Sequence, residues 1–239
     1  MSEVRPRPMI GILGGMGPEA TVELMRRVIE RTPARDDQDH VHLLVDNNPQ
    51  VPSRIAALIE ESGPSPLDEL VRMARRLEHA GAHCLAMPCN TAHYYLHTLG
   101  QQVTVPFLDM IQLTTERVVQ LQPKRVGLLA STAVLKLGLY AQALASAQVS
   151  LLVPESQDSV MELIRAVKRG EVGGETPGRF LNTVQALEQS GCDVLLVACT
   201  ELSLLATHLK TSMHVIDALD CLTDAIVQAG QGRLSEGSR

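Results

Sequence analysis

Cys89 and Cys199 stand in two segments that look like copies of one device, Met87-Pro88-Cys89-Asn90-Thr91 and Val197-Ala198-Cys199-Thr200-Glu201. Each follows an apolar run that reads as a buried strand, and each opens what reads as a helix. The cysteines are 110 positions apart, and the preceding stretches Leu77-Glu78-His79-Ala80-Gly81 and Leu187-Glu188-Gln189-Ser190-Gly191 keep the same spacing. A thiol at a strand-to-helix turn faces the positive end of the helix dipole, which favours thiolate. One such thiol suggests a nucleophile. Two, in repeated halves, suggest a pair of bases facing each other across a cleft.

Three further residues carry charge near such turns. Arg54 follows Gln50-Val51-Pro52-Ser53 in a loop at a strand's carboxyl end, where a guanidinium can grip a carboxylate with two parallel hydrogen bonds; the weaker alternative is a surface arginine starting a helix. Lys168 stands near the end of a helical stretch before Gly170 and either reaches a substrate carboxylate or serves as a C-terminal helix charge. Glu201, two positions after Cys199, is a helix N-terminal charge or a group that orients the thiol.

Other chemistries fit less well. Gly11-Ile12-Leu13-Gly14-Gly15-Met16-Gly17 lacks the spacing of a dinucleotide loop, and no Gly-Lys-Ser/Thr is present, so nucleotide binding is disfavoured. The glycines would instead let backbone approach a small ligand closely. Cys89, His93 and His97 recur at helical spacing, with His79, His83 and Cys84 upstream, but no second cluster has metal-ligand spacing. The four lysines, Lys124, Lys136, Lys168 and Lys210, include none at a strand end beside a phosphate loop, which argues against pyridoxal phosphate. The expectation is a site with no cofactor and no metal.

The elements that must position these residues alternate strand and helix along the chain, the pattern of a mostly parallel α/β sheet. Met9–Leu13, a segment near Val41–Val45, His83–Met87 and Val103–Leu108 read as one set of strands. Helices are expected through Val22, Met25, Val28 and Ile29, over Leu67–Ala80, and over Asn90–Leu99. Arg125–Leu129, Val149–Val153 and Asp193–Val197 repeat the strands, with helices through Met161, Ile164 and Val167, over Phe180–Gln189 and over Thr200–Thr207. Asp109 and Asp217 close matching strands 108 positions apart, and the first strands of the two sets are 116 apart. Offsets of 116, 110 and 108 indicate duplication with small insertions. The expected division is 1–105 plus 212–239 for one α/β domain and 106–211 for the other, with the polar end 231–239 frayed. Ligands of open α/β sheets bind beyond the carboxyl ends of strands, so the turns Gly14–Pro18, Asn47–Arg54, Pro88–Thr91, Ser131–Thr132 and Ala198–Glu201 should meet at one cleft.

Composition narrows the partners and the compartment. The 239 residues are 45% apolar but only 2% aromatic, with no tryptophan. A net charge of -6 without basic blocks argues against nucleic acid. No apolar run approaches the roughly 18–20 residues of a membrane span, and the opening Met1–Pro8 lacks a signal-peptide core. Five cysteines, an odd number, fit a reducing cytoplasm; Cys84, Cys192 and Cys221 read as small core residues.

Two thiols, an anion grip and no redox cofactor suit one reaction. A proton leaves the α-carbon of an amino acid on one face and returns on the other, which needs two bases in opposite protonation states. Thiols can be tuned toward neutrality, and the N–H groups at Asn90-Thr91 and Thr200-Glu201 can hold the α-carboxylate and the carbanion's charge.

At this point the chain resembles the cofactor-independent aspartate/glutamate racemases, above all their aspartate and broad-specificity branch. The resemblance spans nearly the whole chain. It rests on Gly14-Gly15-Met16-Gly17-Pro18-Glu19-Ala20-Thr21, Pro52-Ser53-Arg54, Pro88-Cys89-Asn90-Thr91-Ala92-His93, Leu129-Ala130-Ser131-Thr132, Lys168 and Ala198-Cys199-Thr200-Glu201. It implies two pseudo-symmetric Rossmann-like α/β domains with mostly parallel sheets, commonly in a homodimer, and a site in the cleft between them. It further implies Cys89 and Cys199 as the base pair, and Arg54 and Lys168 on substrate carboxylates. Asn90, Thr91, Thr200 and the Ser131-Thr132 turn would stand beside them, with Met16 and Gln50 lining the pocket. Related glutamate racemases carry Asp-Ser in the first loop and His after the second Cys-Thr; Gly14-Gly15-Met16 and Glu201 here disfavour that enzyme. Many relatives have Asp where Ser53 stands, which bears on side-chain selectivity. Maleate isomerases, hydantoin racemases and arylmalonate decarboxylases share the fold and are the enzyme alternatives. A two-lobed binder of acidic amino acids is the non-enzyme alternative, but it would need no thiol pair.

Overall fold

A computed structural model describes residues 7–207 and 209–233; the part of the expected frayed end from 234 on lies outside them. The first half runs β1 (Ile10–Gly14), α1 (Pro18–Arg31), β2 (Leu43–Asn47), α2 (Arg54–Leu58), α3 (Leu67–His79) and β3 (Cys84–Ala86). A 3₁₀ turn at Thr91–Tyr95 leads into α4 (Leu96–Gly100), followed by β4 (Phe107–Leu108) and α5 (Met110–Gln120). The second half runs β5 (Arg125–Ala130), α6 (Thr132–Lys136), α7 (Ala141–Ser146), β6 (Ser150–Leu152), α8 (Gln157–Lys168) and α9 (Thr176–Gln189). It closes with β7 (Val194–Ala198), α10 (Thr200–Ala206), β8 (His214–Asp217) and α11 (Ala218–Gly230).

Each half is a four-stranded parallel sheet, ordered β2-β1-β3-β4 and β6-β5-β7-β8. The duplication holds at the level of register. Ile10 faces Cys84 and Leu85 faces Phe107 in the first sheet; Val126 faces Val194 and Leu195 faces Val215 in the second. It also holds in packing. A Cβ on Gly11 would meet Leu85, Ala82 and Leu77, and one on Gly127 would meet the equivalent Cys192 and Leu187 within 3.1 Å. The middle strands are apolar and fully buried, as sheets covered on both faces require.

The two halves trade helices. Met110 and the apolar face of α11 cover the first sheet together with α1, while Val118 of α5 joins the core beneath β5 and β7. Sheet membership places β4 in the first half and β8 in the second, so divisions at 105/106 and 211/212 would detach each strand from its sheet. The chain crosses between halves after Asp109 and Asp217, where both carboxylates cap the crossing helices by accepting backbone N–H bonds.

Two expected elements differ. The helix expected over Asn90–Leu99 begins as a 3₁₀ turn, because His93 Nδ1 bonds the Cys89 carbonyl at 2.9 Å while its Nε2 accepts from the Met110 N–H at 3.1 Å. The ring thereby pins the first turn tightly against α5. On α1, Val22 and Ile29 are 62% and 56% exposed, whereas Glu23 and Arg27 are buried. Arg27 turns inward because it donates to Asp217 at 2.7 Å, to Glu23 at 2.7 Å and to the Ser203 carbonyl at 3.1 Å, which satisfies a charge that would otherwise be desolvated without partners.

Candidate active site

The carboxyl ends of both sheets open on one cleft, lined from the first half by Met16, Arg54, Cys89, Asn90 and Thr91, and from the second by Ser131, Lys168, Cys199, Thr200 and Glu201. Both thiols are 94% buried by residue, each 6% exposed. Cys89 follows β3 by the Met87-Pro88 extension, and its carbonyl is held by His93. Burial keeps the His93 ring neutral, and both its nitrogens are already bonded. Cys199 is the N-cap of α10.

The two thiol environments are unlike. Cys199 Sγ donates to Glu201 Oε2 at 3.1 Å. Burial, then the Glu201 charge and this hydrogen bond, push the Cys199 thiol well above its ordinary range. The expectation that the helix end favours thiolate is therefore overturned at Cys199: α10 has only seven residues, and desolvation with an adjacent carboxylate outweighs its dipole. Lys168 Nζ lies 3.5 Å from Glu201 Oε1, so Lys168 is tied into the cleft and is more than a helix-end charge. Cys84 and Cys221 are both pushed up to about 11 and Cys192 is raised, in each case chiefly by burial. All five cysteines are unpaired.

Two residues of the cleft wall carry buried donors without partners. Arg54 donates from Nη2 to the Met16 carbonyl at 3.1 Å and from Nη1 to the Pro52 carbonyl at 3.2 Å, but its Nε is buried and unpartnered. Asn90 Oδ1 accepts from the Tyr140 hydroxyl at 2.5 Å, leaving Asn90 Nδ2 buried and unpartnered. Buried donors are seldom left so unless something else occupies them. Thr91 Oγ1 and Ser131 Oγ are 3.4 Å apart across the two halves. Gln50 and Thr132 are not on the cleft wall: Gln50 is exposed, its N–H bonded to Asn48 Oδ1, and Thr132 Oγ1 faces Gln157 at 3.5 Å.

The glycine loop serves packing more than ligand approach. A Cβ on Gly15, at φ +88°, would lie 2.2 Å from the Asn48 carbonyl oxygen, and one on Gly14 would lie 2.5 Å from Thr21. The loop thus presses against the β2 loop and carries the Met16 carbonyl to Arg54. Sequence reasoning missed Tyr140, whose segment has no pattern of its own and which reaches Asn90 only through tertiary packing. It also missed Arg27 and Ser203, which join α1, α10 and β8 beneath Cys199. Among the described residues no group of three or more His, Cys, Asp or Glu is placed to hold a metal ion, and no helix is long and apolar enough to cross a membrane.

Comparison with known proteins bears on this geometry. A family model described as Asp/Glu/Hydantoin racemase matches residues 13–226. The chain is 27% identical over 228 residues to the broad specificity amino-acid racemase RacX of Bacillus subtilis, covering 92% of this chain and 96% of that protein. Among solved structures it is similar to Picrophilus torridus aspartate racemase, with a TM-score of 0.82 and 31% identity, covering 97% of this chain and 98% of the other. Glutamate racemase from Francisella tularensis in complex with D-glutamate shares the fold at 15% identity and a TM-score of 0.66, over 97% of this chain and 84% of that one.

Proposed function

The chain belongs to the Asp/Glu/hydantoin racemase family, and we propose that it interconverts L- and D-aspartate by proton transfer at Cα between Cys89 and Cys199, without pyridoxal phosphate. The observation that carries this reading is the pair of buried thiols, delivered by duplicated turns to one cleft that also holds unpartnered donors. One cysteine, as thiolate, takes the Cα proton and becomes a thiol. The electron pair left on Cα delocalises into the α-carboxylate, and the other cysteine's S–H proton is delivered to the opposite face. For the reverse direction the two exchange roles.

The cleft's donors have matching work. Asn90 Nδ2, with the hydroxyls of Thr91, Ser131 and Thr200, is suited to the α-carboxylate, whose negative charge grows as the proton leaves. Arg54 and Lys168 are suited to a second carboxylate, which makes an acidic amino acid the preferred substrate. Ile55, Val134 and Ile164 line the same cleft, and this apolar wall favours a second reading in which uncharged side chains are also accepted. We read the protein as a homodimer in the cytoplasm, a reading supported by its five unpaired cysteines and by Val22 and Ile29 standing exposed on α1.

The test is incubation of purified protein with L- and D-aspartate in D₂O under reducing conditions, with no added pyridoxal phosphate. Deuterium at Cα accompanied by inversion is the expected result. No exchange with any acidic amino acid would defeat the reading, and turnover of maleate without exchange of aspartate would shift it to an isomerase of the same fold.

A further inference from the structure

Glu201 joins two groups that the racemase reading uses for different purposes. One carboxylate oxygen accepts from Cys199 Sγ at 3.1 Å, and the other lies 3.5 Å from Lys168 Nζ. The Glu201 side chain is 11% exposed, while Lys168 is 46% exposed and stands at the end of α8, at the mouth of the cleft. The ammonium is therefore the mobile member of the pair and the carboxylate the fixed one. Arg54 is the other cationic side chain on the cleft wall; its two terminal nitrogens hold the Met16 and Pro52 carbonyls, and only its Nε is left without a partner.

We propose that Glu201 is the proton acceptor for Cys199 and that the substrate's second carboxylate triggers the transfer by drawing Lys168 away from Glu201. This rests on the racemase reading above and extends it to the origin of the thiolate. An ammonium beside a carboxylate favours the ionised form; withdrawing it leaves a desolvated, uncompensated charge, which prefers to take a proton. The nearest proton is on Cys199, already hydrogen-bonded to Oε2. The S–H bond breaks, the O–H bond forms, and the negative charge passes from Glu201 to sulfur. The second cause of the raised Cys199 thiol, the Glu201 charge, disappears in the same step. Cys199 then takes the Cα proton and Cys89 delivers its own. That leaves Cys89 as thiolate and Glu201 protonated, and the proton returns from Glu201 to Cys89 through solvent once product leaves. The reverse direction runs through the same states backwards: with the proton on Glu201, Cys89 as thiolate takes the Cα proton, Cys199 delivers its own, and Glu201 returns its proton to the Cys199 sulfur. A monocarboxylic amino acid leaves Lys168 on Glu201 and forgoes the trigger, so the arrangement selects for acidic substrates through ionisation as well as through binding.

The test uses the Cys89→Ala variant, in which Cys199 is the cleft's remaining thiol, and reads thiolate by its ultraviolet absorbance. Succinate should raise the thiolate signal by about one equivalent and acetate should leave it unchanged. The succinate response should vanish in Cys89→Ala/Glu201→Gln. In the Cys89-containing protein, Glu201→Gln should lower kcat/KM for aspartate by roughly 100-fold or more at neutral pH. Its rate should then climb with pH, and Glu201→Asp should recover part of the loss; a merely structural role would leave the pH profile unchanged. No succinate response, or the same response without Glu201, overturns the proposal. If wild-type protein exchanges Cα deuterium while Glu201→Gln matches it, only this inference falls. If wild type itself gives no exchange, the racemase reading falls first.

Discussion

Cys89 and Cys199 are both buried yet face one cavity, so replacing either removes one face's proton carrier while leaving the other intact. Cys89→Ala and Cys199→Ala should each lower kcat/KM for aspartate by roughly 100- to 10,000-fold, with circular dichroism unchanged; retention of activity in either would contradict a two-thiol reaction. Because the equilibrium between enantiomers favours neither, kcat/KM must fall equally in both directions. Arg54 makes a different claim. With its Nε unpartnered beside the substrate cleft, Arg54→Ala should weaken binding of dicarboxylic substrates by about 1.5–3 kcal/mol, the worth of a hydrogen bond to a charged group. KM for aspartate should rise by roughly 10- to 150-fold and KM for alanine hardly at all. Equal rises would mean that Arg54 does not read the side chain. These residues were legible in the sequence because each stands in a short pattern tied to a strand's end. Tyr140 was not, because its phenol earns a role only through the fold that carries it to Asn90.

At the scale of elements, the 3₁₀ turn after Cys89 depends on one neutral imidazole. His93 donates to the Cys89 carbonyl and accepts from the Met110 N–H, and burial lowers its affinity for a proton. An unfolded histidine titrates near about pH 6.5, so as pH falls the unfolded chain takes the proton first. The contribution of His93 is thus fully present above about pH 6.5 and declines below it, toward the lower folded value. Urea midpoints should fall between about pH 7.5 and 5.5 more steeply for the wild type than for His93→Gln; parallel slopes would assign the acid sensitivity to other groups. Periodicity alone could not distinguish this turn from an α-helix, since the apolar spacing of Ala92, Tyr95 and Leu99 suits both. A side chain bonded from outside the segment selected the tighter winding.

At the scale of the molecule, the halves are joined by exchanged helices and by one buried charge cluster. Arg27 of α1 meets Asp217 at the end of β8 and the Ser203 carbonyl of α10, while Ser203 Oγ donates to Asp217 at 2.7 Å. Arg27→Met would leave Asp217 buried without its counter-charge, and should cost about 3–5 kcal/mol of stability by urea denaturation. Asp217→Asn in the same background should restore part of it, and a loss under about 1 kcal/mol would show that the cluster is not closed in solution. The cluster also explains why α1 defied its apolar pattern, turning Val22 and Ile29 to the surface. The sequence by itself determined the duplication, the α/β class and the placement of Cys89, Cys199, Arg54 and Lys168 at strand or helix ends, since these follow from local periodicity and from spacing repeated along one chain. Only the tertiary structure decided which helix covers which sheet and that Gln50 and Thr132 stand off the wall. It alone placed Glu201 between Cys199 and Lys168, and so kept the buried thiol protonated against its helix end. Those outcomes turn on distances of a few ångströms and on desolvation, which arise only when residues far apart in the chain are packed together.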